Sequence, residues 1–120
     1  MRSPYAHEAL VELTDGVDEG APGAAVTVAL CGSWQHDGPC PLAPHHTLTR
    51  RGPEGLMVRV LFATEPAREA DARRLIAGAL AAGQVVPASA VGTRWRLVSQ
   101  RRCDPSEGER QHAARLVASP

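Results

Sequence analysis

Apolar and polar residues alternate along five segments of the chain, and such alternation predicts β-strands. The clearest segment is 56–63, LMVRVLFA, and a second one, 46–51, lies just before it. The Gly/Pro-rich residues 52–55 separate the two, so we predict a β-hairpin here. Weaker alternation predicts three further strands, at 8–14, 24–31 and 93–99.

After residue 64 the apolar positions recur every three or four residues, which is the spacing of a helix with one buried face. These positions are Ala72, Leu75, Ile76, Ala79 and Leu80. Thr64 is the predicted N-cap, with Pro66 in the first turn, and Gly83 is the predicted end. The sequence DPSE at 104–107 resembles a capping box and predicts a final helix over 105–117.

These elements follow the order β-β-β-β-α-β-α and predict an α+β fold. We expect a five-stranded antiparallel (mixed) sheet with two helices packed on one face, in a ferredoxin-like arrangement or a permuted relative of it. At 120 residues the chain is expected to form a single domain, 1–120, with residues 1–7 as a loose N-terminal arm.

Composition narrows the class of protein. The net charge is zero, which argues against a general nucleic-acid binder. All 13 basic residues are Arg, a bias typical of bacteria with GC-rich genomes. Because the N-terminus has no signal-like apolar run and no segment approaches 18 apolar residues, we expect a cytoplasmic protein with no membrane partner.

The segment 31–46, CGSWQHDGPCPLAPHH, gathers most of the residues that can bind a metal. The candidate ligands are Cys31, His36, Cys40 and His45, with His46 replacing His45 if the strand register differs by one. Two thiolates and two imidazoles suit tetrahedral zinc, and Asp37 can orient a histidine ligand. Strand alternation places His45 on the side of Cys31 and places His46 with Leu48 in the core. The first expected function is therefore zinc binding, in a structural or regulatory role.

Two other interpretations of this segment remain open. It can be a plain Pro-rich connection with solvated histidines and cysteines packed as small apolar groups. It can also be a catalytic site, with Cys31 or Cys40 as the nucleophile and a histidine as the base. In that case Trp34 would line a small pocket. Cys103 is expected to be a plain exposed or partly buried thiol. His7 and His112 have no sequence partner and are expected to be ordinary surface histidines.

The sheet face away from the helices offers a different function. The same alternation places four arginines there: Arg51, Arg59, Arg94 and Arg96. Such a face can bind an anionic or acidic partner. It also carries Met57, Leu61 and Val98, which favours a homodimer through this face. Because it has no aromatic side chain for stacking, we do not expect a nucleic-acid partner. A metal-free homodimeric binding or assembly module is thus the alternative function.

Overall fold

The structure is a computed structural model that describes residues 1–13, 18–31, 43–85 and 94–119. These residues form four strands and three helices, numbered along the chain. They are β1 (Ser3–Leu13), α1 (Ala21–Cys31), β2 (His45–Gly52), β3 (Gly55–Thr64), α2 (Glu69–Ala82), β4 (Trp95–Cys103) and α3 (Arg110–Val117). Within the described ranges, no helix has the length and apolar character needed to cross a membrane.

One antiparallel sheet joins the four strands in the order β2-β3-β1-β4. β1 is a central strand, paired with β3 on one side and with β4 on the other. The predicted β2–β3 hairpin is confirmed, since the two strands pair from the turn outward to His45 and Phe62. The first six elements follow the order β-α-β-β-α-β, which is the split β-α-β arrangement.

The prediction of a five-stranded sheet with two helices in the order β-β-β-β-α-β-α is wrong, because residues 24–31 lie in helix α1. Pro22 lies in the first turn, a position that favours the start of a helix. Asp18 holds this start in place. Its side chain accepts a hydrogen bond from the amide of Gly20 at 2.8 Å, and its carbonyl accepts one from Ala21 at 3.0 Å. Nearly all residues of α1 are small or apolar, so the sequence shows no helical period.

Helices α1 and α2 pack on one face of the sheet and form the main core. From β3 this core receives Leu56, Val58, Val60 and Phe62. From α2 it receives Ala72, Ile76 and Leu80, as the helical spacing predicts. Trp95 of β4 joins the same core, where its indole N–H donates a hydrogen bond to the carbonyl of Leu80 at 2.9 Å. α2 ends at Gly83, as predicted, in the left-handed conformation with φ 72°.

Helix α3 packs on the opposite face, against β1 and β3. Ala113 of α3 is buried, and so are Ala6, Leu61 and Ala63 on this face of the sheet. The expectation that all helices share one face is therefore also wrong. α3 lies over the first residues of β1 and the last residues of β3, so it covers about half of the face. The other half stays uncovered in the described part of the chain.

Three smaller expectations also need correction. The predicted loose arm, 1–7, is mostly strand, because β1 begins at Ser3. The predicted capping box at 104–107 is displaced by two residues: the observed one joins Ser106 and Glu109. The last predicted strand, 93–99, is shifted as well, since β4 runs to Cys103.

Candidate functional site

The described residues include only part of the predicted metal-binding segment. Trp34, His36, Asp37 and Cys40 lie outside the described residues. Cys31, His45 and His46 are described, at the end of α1 and the start of β2. Within the described ranges, no group of three or more His, Cys, Asp or Glu side chains is arranged to hold a metal ion.

His45 lies against α1, on the side of Cys31. Its Nε2 is hydrogen-bonded to Thr27 Oγ1 at 3.0 Å, and its Nδ1 donates to the carbonyl of Ala43 at 3.2 Å. Thr27 and Cys31 are four residues apart on α1, so they share one face of the helix. The fold thus brings His45 toward the helix face that carries Cys31, although α1 is not the strand we expected.

The two described cysteines differ in oxidation state and position. Cys31 is disulfide-bonded, whereas Cys103 is a free thiol. A disulfide sulfur is not a thiolate, and both zinc ligation and nucleophilic attack by cysteine need the thiolate. In this state Cys31 can serve neither as a zinc ligand nor as a nucleophile, so both functions would begin with its reduction.

His46 lies on the opposite face of the sheet, the face of α3, and not in the main core where we expected it. It pairs with Leu61 of β3, and its ring contacts the ring of His112 on α3 with centroids 4.3 Å apart and planes tilted by 45°. Burial, with a smaller effect from His112, lowers the pKa of His46. The sequence contains no signal for this contact, because the two histidines are far apart in the chain and on different elements.

His45 and His46 thus lie on the faces opposite to those we expected, and Leu48 shares the face of His46. We expected Leu48 in the core, but it is 45% exposed on the α3 face. Helix α1 approaches β2 closely at Gly23, where an added Cβ atom would lie 3.2 Å from the side chain of Thr47. His45, Thr47 and Thr49 occupy the positions of β2 that face α1, and the leucine lies on the opposite face.

Arg59 connects the sheet to the start of α3. Its guanidinium donates hydrogen bonds to Glu109 at 2.7 Å, to Glu8 at 2.9 Å and to the carbonyl of Asp104 at 2.8 Å. It also lies 3.2 Å from Cys103 Sγ. The hydrogen bond from Arg59 lowers the pKa of Glu109 from 4.5 to about 2, and the same contact raises the pKa of Arg59. These contacts assign Arg59 a structural role.

The other predicted arginines do not form one basic surface. Arg96 shares the face of Arg59 and is paired with Glu12 at 2.8 Å. Arg51 lies on the face of α1 and is paired with Glu19 at 3.0 Å. Arg94 precedes β4, in an isolated bridge with Gln84. The predicted set of four is therefore divided, and the members that share a face are neutralised by carboxylates.

His7 is a buried residue that our sequence interpretation missed. It is 5% exposed, and its Nε2 lies 2.9 Å from Gln100 Oε1, while its buried Nδ1 has no hydrogen-bond partner in the described part of the chain. Burial is the main cause that lowers the pKa of His7. Alternation could have revealed it, because residues 7, 9 and 11 lie on the same face of β1.

The uncovered half of the sheet carries four apolar side chains: Leu10 and Met57 on the two central strands, and Leu48 and Val98 on the two edge strands. Leu48 and Val98 are 45% and 43% exposed. Val98 is the extra residue of β4 at an irregularity opposite Leu10 and Val11. Two shallow hollows, of about 190 and 100 Å³, lie beside Leu10 and Met57. We call these four residues the apolar patch.

Charged residues of both signs surround the apolar patch. They are Glu8, Glu12 and Glu54 together with Arg50, Arg96 and Arg101. Arg96 is paired with Glu12, and Arg101 with Glu8. Within the described residues, Arg50 and Glu54 have no ion-pair partner. The rim therefore has no net charge.

Comparison with known proteins adds no functional assignment: no family model, no curated protein and no solved structure matches the chain.

Proposed function

We propose that this protein is a small binding and assembly module that forms a homodimer through the apolar patch. The observation that carries the proposal is the exposure of Leu48 and Val98, which lie on the two edge strands β2 and β4 of this sheet face. α3 covers the adjacent half of the same face, where Leu61 is 1% exposed. Covering the second half in a similar way would remove the remaining large aliphatic side chains of the sheet from water.

The charges around the apolar patch favour a second copy of the chain over an acidic partner. Arg59 is fully engaged by Glu8 and Glu109, so it has no free charge to offer an anion. Three glutamates balance the three arginines of the rim, and two such rims do not repel each other. In a two-fold arrangement Arg50 of one copy can pair with an acidic residue of the other.

The size of the surface indicates weak association. Four strands about 4.8 Å apart, over about five residues each, cover about 300 Å² in plan. Standard interfaces bury about 800 Å² on each partner. We therefore expect a dimer with a dissociation constant in the high micromolar range rather than a permanent one.

Sedimentation velocity over a concentration series tests this proposal. We expect the mass to rise from the 12.7 kDa of one chain toward that of two chains between about 10 µM and about 1 mM. Leu48→Glu places a charge inside the patch and should leave the protein monomeric throughout.

Leu75→Glu is the matched control, because Leu75 is also an exposed leucine, at 38%, but lies on α2, away from the patch. It should associate like the wild type. A wild-type mass of one chain at every concentration would overturn the homodimer. Equal effects of the two substitutions would rule out the patch as the contact surface.

Zinc binding through Cys31 and His45 is a second candidate function. The contact between His45 and Thr27, one helical turn before Cys31, favours it. His36 and Cys40, the other two candidate ligands, lie outside the described residues. Because Cys31 is disulfide-bonded, this candidate requires reduction before the metal can bind.

Metal analysis of tag-free protein, prepared with and without a thiol reductant, tests the zinc candidate. We expect about one zinc per chain after reduction and almost none before it, since only the thiolate is a ligand. Cys31→Ser should prevent the retention of zinc through purification under both conditions. Less than about 0.1 zinc per reduced wild-type chain would overturn this candidate.

A further inference from the structure

The contact between His46 and His112 is independent of both proposed functions. It joins β2 to α3 on the face away from α1, so it lies on the opposite side of the sheet from His45 and Cys31. Both rings are partly buried. Imidazole is the commonest metal ligand among side chains, and side chains on facing elements can supply the ligands of one site.

We propose that His46 and His112 form a two-imidazole site for a divalent late first-row transition-metal ion. The ring separation fits this use. A ring nitrogen bound to such an ion lies about 2.0–2.1 Å from it, which places the ring centre about 3.2 Å away. Two rings bound at right angles then have centres about 4.5 Å apart. The observed separation of 4.3 Å is close to this value.

The chemistry of the two ligands defines the class of ion. Only a neutral imidazole has a lone pair for a metal. Neutral nitrogen ligands suit Cu²⁺, Ni²⁺ and Zn²⁺, whereas Mg²⁺ and Ca²⁺ prefer oxygen.

The bound ion would attach α3 to the sheet at a second point. Arg59 already holds the start of α3 through Glu109. His112 lies within α3 and His46 lies on β2, at the edge of the sheet. With two protein ligands the ion keeps water in its other positions, so we expect exchangeable binding whose strength follows the order Cu²⁺ above Ni²⁺ and Zn²⁺.

Thermal unfolding of tag-free, non-reduced protein tests the site, because in this state Cys31 is not available as a ligand. A saturating amount of Cu²⁺, about 100 times its dissociation constant, should raise the melting temperature by roughly 5 °C or more. Ni²⁺ and Zn²⁺ should give smaller increases, and Mg²⁺ none. His112→Gln and His46→Gln should each abolish the increase, while His45→Gln should retain it.

Electron paramagnetic resonance of bound Cu²⁺ provides a readout that does not depend on stability. The wild type should show two nitrogen ligands, and His112→Gln should lose that spectrum even if its melting temperature has changed. A Cu²⁺ spectrum that is the same in the wild type and in His112→Gln would overturn the proposal. So would an equal thermal increase in both proteins, or none in the wild type.

Discussion

Replacing Arg59 with alanine will lower the free energy of unfolding by about 2–3 kcal/mol, measured by urea titration. The substitution leaves Glu8 and Glu109 mostly buried, at 19% and 12% exposure, without their shared cation. Arg101 still partners Glu8, which limits the loss. The start of α3 loses its attachment to the sheet, so part of the burial around Ala113 is lost as well.

The effect of this substitution should depend on pH in a defined direction. The pKa of Glu109 is about 2 in the folded protein and 4.5 ordinarily, so the unfolded state binds its proton first. The stability from this pair is complete above pH 4.5 and is lost as the pH falls to about 2. The difference between the wild type and Arg59→Ala should shrink over the same range.

Arg96→Ala is the matched control, because Arg96 is also on the α3 face and also paired with a glutamate, Glu12. The two side chains are 66% and 52% exposed, and exposed pairs contribute less than about 1 kcal/mol. We expect a loss below about 0.5 kcal/mol. Equal losses from Arg59→Ala and Arg96→Ala would contradict the structural role assigned to Arg59.

Gly55→Ala will destabilise the protein by about 3 kcal/mol or more. Gly55 begins β3 with a φ of 137°, a conformation that other residues rarely adopt. A Cβ atom there would lie 2.5 Å from the carbonyl oxygen of Val11 in the central strand. Since that atom is backbone, the clash can be relieved only by separating β1 from β3. Chemical denaturation monitored by circular dichroism measures the loss.

Gly78→Ala should stabilise the protein, which is the opposite of the effect of Gly55→Ala. Gly78 lies inside α2, and nothing lies within 4 Å of its added Cβ. Alanine in a helix interior is favoured over glycine by about 0.5–1 kcal/mol, so stability should increase by that amount. A comparable loss from Gly55→Ala and Gly78→Ala would contradict the close approach between Gly55 and Val11.

The contrast between α2 and α1 explains which elements could be predicted. α2 has polar residues between its buried positions Ala72, Ile76 and Leu80, so its sequence contains the period of a helix. α1 has almost none, and Val26 and Val28 fit a strand equally well by local preference. Packing against the sheet and α2 decides its conformation, and that information is not local in the sequence.

The face assignment of β2 failed for a similar reason. The rule that a large aliphatic residue faces the core placed Leu48 inward. In the structure Thr47 and Thr49 face α1 instead, and this could not be predicted because α1 was not recognised. On β3 the alternation is strong, and Arg59 and Met57 were placed on the correct face.

The candidate sites depend on strand order more than on motif. Once β1 is known to lie between β3 and β4, Glu8 and Glu12 come beside Arg59 and Arg96. The sequence shows these charged residues, but it does not show which of them lie side by side in the sheet. The contact between His46 and His112 likewise appears only when α3 is placed on the second face. The spacing of cysteines and histidines along the sequence instead predicted a site in the segment 31–46.

The central position of β1 determines when the protein can fold during synthesis. β1 precedes the other described strands, yet one of its two partners, β4, follows all of them and ends at Cys103. The nascent chain therefore has to hold an incomplete sheet until β4 has left the ribosome. Such long-range pairing makes folding slow, and β1 keeps one open edge throughout that wait.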